Sequence, residues 1–328
     1  MRDVLADLLR WWSAGQPAGL AIVTGTWASA PRQVGAAMAV GPDGVAVGSV
    51  SGGCVEAAVY ELCREVARTG RFRTASFGVT DDLALEAGLP CGGTIEVTVG
   101  RVDKATFPDL PVLVAAVEAG EEIALDIAAG YTVGKTGTIV FRPPPRMLVF
   151  GATDHAAAVA RIGGFLGYHV TVCDARPVFA TERRFPGADR VVVDWPHRYL
   201  AAEAEAGRID DRTVLCVLTH DPKFDVPTLE LALRLDVGYV GAMGSRRTHE
   251  DRLARLREAG LTEPELDRLC SPIGLDLGAH SPEETAVSIA AEIVALRRGG
   301  SGQRLSRTGG PVHKTVGPAG ILSGPATP

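Results

Sequence analysis

Two cysteines in this sequence stand beside paired glycines, Cys54 at the end of "GSVSGGC" and Cys91 in "GLPCGG". A thiol gains little from packing at such a turn, whereas glycine lets the backbone bend and a ligand approach closely. The spacing puts Cys54 at, or one residue before, the start of a helix, where free N–H groups and the helix dipole favour a thiolate. Ser51, Gly52 and Gly53 lead into that thiol, and Glu56 falls in the first helical turn, a favourable place for a carboxylate. Gly92 and Gly93 follow the second thiol. Spacing alone leaves three readings open for the pair: soft ligands, nucleophiles, or small residues in tight turns. A tetrahedral zinc centre fits less well, because it needs four ligands and no histidine or further cysteine lies close by in sequence. Cys63 shares a helical face with Val59, Leu62 and Val66, and Cys173 and Cys216 lie in apolar strands, the pattern of core residues. Cys270 matches neither pattern.

A second group of polar residues follows apolar runs. In "LVFGATDHAAAVARIGGFLGYHVTVCDARP", a strand, a turn at Gly151, an apolar helix and a second strand ending at Asp174 have the layout of a dinucleotide-binding unit. Asp174 suits a ribose hydroxyl and Arg176 a phosphate. Thr153 and Asp154, however, stand where a second glycine would admit a pyrophosphate, which argues against ordinary NAD(P) binding. "YVGAMGSRRTHEDRL" closes a strand with Gly244 and Ser245 and opens a helix with Arg246 and Arg247, a combination suited to an anion. The plainer reading is a solvated helix start whose arginines pair with Glu250 and Asp251. "LTHDPKFD" carries His220, Asp221, Lys223 and Asp225 away from a strand end, the place where doubly wound sheets bind ligands. In "PIGLDLGAHSPEE", Ser281 and Pro282 cap a helix, and Asp276, His280 and Glu283 form a polar cluster beside it.

These residues need a scaffold. Val4, Leu5, Leu8, Leu9 and Trp12 fall on one face of a first helix, with Gly15 as its stop. Strands follow at "LAIVTGTW", "AAMAV" and "VAVGSV", the last two joined by a "GPDG" hairpin turn. The helix after Cys54 runs to Gly70; strands are expected near 72–77 and 94–99, a helix near 110–119, and strands near 122–127 and 137–141. This predicts a mixed α+β domain over residues 1–142. "RPPPR" at 142–146 breaks it, since proline neither continues a helix nor donates to a ladder. Beyond it "MLVF", "HVTVCD", "RVVVDW", "TVLCVLTH" and "VGYVGAM" are continuous apolar runs alternating with helical patterns, as in buried parallel strands. The prediction is an α/β chain whose second domain, 146–298, is a Rossmann-like, doubly wound parallel sheet. Residues 299–328, rich in Gly, Pro, Ser and Thr, are expected to be disordered.

The bulk composition narrows the role. A net charge of −6 speaks against a nucleic-acid partner, and no apolar run approaches the length of a membrane span. Without a cleavage pattern near "MRDVLADLLRWW", and with six cysteines too sparse for a disulfide scaffold, the expected compartment is the cytoplasm.

Taken in order, "SAPRQVGAAM", "GSVSGGCVEAAVYE", "GLPCGGTIEV", "THDPKFD", "YVGAMGSRRTHEDRL" and "PIGLDLGAHSPEETAVSIAAEI" resemble the XdhC/CoxI family, accessory proteins of xanthine dehydrogenase and carbon monoxide dehydrogenase maturation. The resemblance runs from near residue 20 to near 298. It implies a chaperone without turnover of its own that binds and protects molybdenum cofactor, assists its sulfuration through a cysteine desulfurase, and delivers it to an apo molybdenum hydroxylase; the alternatives are an NAD(P)-dependent oxidoreductase, favoured by the Rossmann rhythm and Asp174 and disfavoured by Thr153 and Asp154, and a non-catalytic assembly factor that acts through its surfaces. It leaves a homodimer open as the assembly. Cys54 and Cys91 match the family's glycine-flanked cysteines, Arg32 its Pro-Arg turn, and Gly244 to Arg247 its Gly-Ser-Arg loop. Thr153 and Asp154 depart from it, where the family carries Gly-His. The resulting expectation is a site between the domains, with Cys54 and Cys91 on one side and the Gly244–Arg247 loop on the other.

Overall fold

A computed structural model describes residues 1–328 apart from 29, 31, 79–92, 128–129, 310–311 and 313–328. The chain divides into two compact units whose bodies are Met1–Pro143 and Pro144–Arg304, the break falling inside the proline run.

The first unit opens with helix α1 (Arg2–Ser13), then strands β1 (Ala18–Trp27), β2 (Ala37–Val40) and β3 (Ala46–Gly48), helix α2 (Glu56–Thr69) and strands β4 (Arg73–Phe77) and β5 (Thr94–Val102). The five strands form one antiparallel sheet in the order β3-β2-β1-β5-β4. Alternation along β1 decides what covers each face. Leu20 and Ile22 join Val4, Leu5, Leu8 and Trp11 of α1 and Leu110 and Leu113 of helix α3 (Leu110–Ala119) in one core. Ala21 and Val23 point the other way and pack with Val59, Cys63 and Val66 of α2. Each fully buried Leu or Ile contributes roughly 2 kcal/mol to holding these layers together. Strands β6 (Ile123–Asp126), β7 (Thr132–Gly134) and β8 (Ile139–Phe141) make a small sheet whose Leu125, Ile139 and Phe141 extend the α1–α3 core.

Three details differ from the sequence reading. Trp11 rather than Trp12 is the buried aromatic of α1; Trp12 lies half-buried and donates its indole N–H to the Phe107 carbonyl at 3.0 Å. β7, three residues long, is too short to show a period in sequence. The third strand stops at Gly48, and Ser49 and Val50 belong to the following loop.

The second unit contains β9 (Arg146–Phe150), α4 (Asp154–Phe165), β10 (His169–Asp174), β11 (Arg190–Val193), α5 (Pro196–Glu205), β12 (Val214–Val217), α6 (Pro222–Ala232), β13 (Tyr239–Ala242), α7 (Arg246–Glu258), α8 (Glu263–Leu266), β14 (Leu269–Cys270) and α9 (Pro282–Arg298). Its strands pair in parallel, in the order β11-β10-β9-β12-β13-β14. Counted within the unit this is third-second-first-fourth-fifth-sixth, the doubly wound dinucleotide-fold order, with its reversal between β9 and β12. Met147, Val149, Val170 and Val172 face α4 and α9, while Leu148, Phe150, Leu215 and Val217 face α5, α6 and α7. Burial on both faces is why these strands read as unbroken apolar runs. β14, only two residues long, has no sequence signature of its own.

Of the tail beyond 298, residues 299–309 and 312 are described, with a 3₁₀ turn at Leu305–Arg307; the rest of that expectation lies outside the described residues. No helix among the described residues is long and apolar enough to cross a membrane.

Candidate functional site

The antiparallel register brings several distant residues to one edge of the first sheet. β1 ends at Trp27 opposite Thr94, which opens β5, and Phe77 closes β4 opposite Ile95. β2 opens at Ala37 opposite Ile22, and β3 closes at Gly48 opposite Met38. The 28–36 loop, the 49–55 loop and the two ends of the β4–β5 connection therefore share that edge. Arg32 is exposed there and donates through Nη2 to the Ser49 carbonyl at 3.4 Å. Gly93, buried, directly precedes β5 at the same edge; Cys91 and Gly92 lie outside the described residues.

The 49–55 loop is organised by Glu56. Its carboxylate accepts from the backbone N–H groups of Ser51 (2.9 Å), Gly52 (3.0 Å), Gly53 (2.8 Å) and Val55 (3.2 Å). It also accepts from the hydroxyls of Ser49 (2.7 Å) and Ser51 (2.6 Å). Burial alone would raise this carboxyl's pKa, but the hydrogen bonds from Ser49, Ser51 and the backbone outweigh it and hold the pKa down at about 2. The Glu56 carboxylate is thus turned into its own loop. Gly52 and Gly53 adopt φ of +90° and +129°, left-handed values that only glycine takes without strain, and none of the described residues lies within 4 Å of where a Cβ would stand.

Cys54 sits further from the helix than its spacing suggests. Val55 is the N-cap of α2 and Glu56 its first residue, so the thiol belongs to the residue before the cap. The reason is that the chain needs the extra residues to wrap around the Glu56 carboxylate. Cys54 is a free thiol, half-buried and packed in part against the α2 core, with its N–H donating to Ser51 Oγ at 3.0 Å. Cys63, Cys173 and Cys216 are buried free thiols, each raised by burial, the first two to about 12. Cys270 is half-buried in β14. Among the described residues no group of three or more His, Cys, Asp and Glu is placed to hold a metal ion.

In the second unit the predicted residues gather at the carboxyl edge of the parallel sheet. Gly151 follows β9 with φ +113°, and a Cβ there would stand 2.9 Å from the Thr219 nitrogen, so the backbones after β9 and β12 touch. Thr153 caps α4, accepting from the Ala156 N–H at 3.1 Å, while Asp154 is exposed and pairs with Arg184 at 3.3 Å. Asp174 at the end of β10 is buried with both oxygens engaged. Oδ2 accepts from the Ala152 N–H at 2.7 Å and Arg176 Nη2 at 2.8 Å; Oδ1 accepts from Arg176 N and Nε at 2.8 and 2.9 Å. Burial pushes its pKa up, but these bonds outweigh that and hold it below the usual range. The carboxylate expected to meet a ribose hydroxyl already has four donors.

His220 is exposed after β12, and Asp221 caps α6, accepting from the Lys223 N–H at 3.1 Å and pairing with Lys223 Nζ at 3.0 Å. Gly244 turns the chain into Ser245, the N-cap of α7, whose Oγ accepts from the Thr248 N–H at 3.1 Å. Arg246 and Arg247 are exposed in the first turn, and neither pairs with Glu250 or Asp251 among the described residues. Asp276, His280 and Glu283 are exposed too; the capping box at α9 joins Ser281 to Glu284, and His280 Nδ1 meets the Gly278 carbonyl at 2.8 Å.

Beneath this edge lies a network that sequence reasoning misses. Arg252, 4% exposed, donates to Asp225 Oδ2 at 3.1 Å, the Met243 carbonyl at 2.8 Å and Ser271 Oγ at 2.9 Å. Thr219 Oγ1 donates to Asp225 Oδ1. Burial raises the Asp225 carboxyl pKa, and the bonds from Thr219 and Arg252 offset only part of that. Helix α6 and the residues that follow β13 and β14 are therefore fastened to a single buried guanidinium, and Thr219, after β12, joins them through Asp225. No local motif announces it, since its partners come from separate stretches of chain. Ser49, whose hydroxyl donates to Glu56, likewise stands outside the residues that the motifs single out.

Comparisons with known proteins agree with this architecture. Residues 11–78 match the model of the XdhC and CoxI family, and residues 147–293 match that of the XdhC Rossmann domain. The chain is 29% identical over 309 residues to the molybdenum cofactor insertion chaperone PaoD of Escherichia coli, covering 90% of this chain and 88% of that one. It is 25% identical over 321 residues to a protein of Bacillus subtilis described as a probable subunit of xanthine dehydrogenase, covering 86% and 94%. A crystal structure described as a xanthine dehydrogenase from Bacillus halodurans superimposes with a TM-score of 0.69 at 24% identity, covering 93% of this chain and 98% of that one, and so shares its fold. With a match in each unit, over residues 11–78 and 147–293, and the glycine-flanked thiol and Gly-Ser-Arg loop at two sheet edges, the chain belongs to the XdhC/CoxI family.

Proposed function

We propose that this protein is a molybdenum cofactor insertion chaperone serving a molybdenum hydroxylase of the xanthine dehydrogenase type. The observation that carries the reading is the similarity, over 90% of the chain, to a relative named for that role. The donor set suits such a cargo, which combines a soft molybdenum–sulfur centre with a terminal phosphate. A half-buried free thiol, Cys54, stands on a loop whose glycines have no described residue within 4 Å of an added Cβ. Soft centres are met by sulfur ligands. Arg246 and Arg247, exposed and without carboxylate partners among the described residues, open a thirteen-residue helix and suit a phosphate. In this reading Cys54 and Cys91, with Arg32, contact or shield the molybdenum end of the cargo, and His220 and the Gly244–Arg247 loop give the second unit polar groups of its own for an anion. Sulfuration of the cargo, with a cysteine desulfurase as sulfur source, belongs to the same reading.

Protein purified from molybdenum-replete cells is expected to carry molybdenum and pterin, and to activate an apo molybdenum hydroxylase. Cys54→Ala and Cys91→Ala should each lower that activation. Absence of both molybdenum and pterin from the wild-type protein, together with no activation, would overturn the proposal.

A further inference from the structure

The Glu56 carboxylate does more than a first-turn acid normally does. Such a residue ordinarily favours its own helix, by charge or by one bond to the N-cap N–H. Here it reaches back across seven residues to Ser49 and takes the N–H groups of Ser51, Gly52, Gly53 and Val55 as well. Between Ser51 and Val55, Cys54 alone is skipped, and its N–H goes to the Ser51 hydroxyl. That hydroxyl, on a residue only 3% exposed, donates in turn to Glu56 Oε2 at 2.6 Å and also accepts from Val55 N at 3.2 Å. The backbone on each side of the thiol is thus fastened directly to the carboxylate, and the thiol's own amide is fastened through one hydroxyl.

We propose that Glu56 is a positioning residue for Cys54: its carboxylate, relayed through Ser51, clamps the glycine loop and fixes where the sulfur stands. The inference rests on the reading of Cys54 as a cofactor contact. The division of labour follows from chemistry. Two consecutive glycines with left-handed φ give a loop that a cofactor can approach, but they carry the highest conformational entropy of any residue type. A carboxylate with several donors converging on it restores the order that glycine loses, because charge-assisted hydrogen bonds are the strong ones. With its pKa held at about 2, the clamp stays charged at any pH near neutrality.

The test compares Glu56→Ala, Glu56→Asp and Ser51→Ala with the wild-type chain. Site-resolved alkylation of Cys54 by iodoacetamide reports the sulfur, with buried Cys63 as the unreactive control. Hydrogen exchange reports the loop amides separately from those of α2. In Glu56→Ala, the amides of Ser51, Gly52, Gly53 and Val55 should exchange about tenfold faster or more, the loss of one charge-assisted bond at each, while that of Cys54, held by the Ser51 hydroxyl, should change less. Val59 to Val66 should keep their rates, the Cys54 alkylation rate should change several-fold, and cofactor delivery should fall. Glu56→Asp keeps the charge but shortens the reach, so it should recover part of each effect. Ser51→Ala should alter Cys54 alkylation more than exchange at Gly52 and Gly53. Unchanged alkylation and loop exchange in Glu56→Ala overturn the proposal, as does exchange rising equally along α2 and β1. Cys54→Ala separates the two claims. Full cofactor delivery by that variant overturns the cofactor contact, whereas unaltered Cys54 chemistry in Glu56→Ala overturns the positioning role alone.

Discussion

The two units hold loops at a sheet edge by opposite means. In the first, an anion gathers donors: Glu56 collects N–H and hydroxyl groups from residues 49–55. In the second, a cation gathers acceptors: Arg252 collects the Asp225 carboxylate, the Met243 carbonyl and Ser271 Oγ. The first clamp is partly solvated and wholly local, whereas the second is buried and joins stretches far apart in sequence. A local, wet clamp orders a loop at small energetic risk. A buried, distant one ties several loops to the stability of the whole sheet.

The contrast can be broken experimentally, most severely at Arg252. Arg252→Met leaves Asp225 buried without its cation and is expected to destabilise the second unit by about 3–5 kcal/mol. Denaturant unfolding followed through Trp195, the one tryptophan of that unit, measures it. A loss below about 1 kcal/mol would mean the buried pair is no anchor, and the contrast collapses. Next in size is Gly151→Ala, whose Cβ meets the Thr219 and Leu218 backbone at φ +113°. About 2–3 kcal/mol should be lost, without any change in exchange at Ser51–Val55 of the other unit.

Glu56→Gln sharpens the contrast through pH. The Glu56 pKa is lowered from 4.5 to about 2, so its stabilisation is complete above pH 4.5 and drains away as pH falls towards 2. Allowing for its partial exposure, that stabilisation is on the order of 1–2 kcal/mol. Thermal melts of wild type and Glu56→Gln should therefore differ at pH 7, with a gap that narrows below pH 4.5 and is smallest as the pH approaches 2; a gap independent of pH would remove the charge from the explanation. Smallest are Arg246→Ala and Arg247→Ala, each expected within about 0.5 kcal/mol of wild type. Both should lower the molybdenum and pterin content of purified protein, separating exposed contacts from buried anchors.

The legibility of the molecule follows the same division. Strands β9, β10, β12 and β13 announce themselves because burial on both faces demands unbroken apolar runs, and the glycines and Pro-Arg turn around Cys54 are local signals. β7 and β14 are too short to carry a period, and Trp11 and Trp12 differ by one helical position in a pattern that admits either. Arg252 is invisible in sequence because nothing near residue 252 reveals residues 225, 243 and 271. Asp174 shows a subtler limit: its place at a strand end is readable, but its capture by Arg176 depends on side-chain direction, which spacing does not carry. Glu56 is similar, since its helix position is readable and its backward turn is not.

The local clamp also has a consequence for the order of folding. β2, β3, the glycine loop and α2 form one continuous stretch, 37–69, whose hydrogen bonds around Glu56 close over no more than seven residues. The β1–β5 pairing joins Trp27 to Thr94 and Ala18 to Val102, and so waits on a far larger chain closure. Pulsed hydrogen exchange during refolding should find Ser51 to Val55 protected no later than β1 and β5. The thiol would then be set in its turn before the sheet edge that displays it has finished assembling.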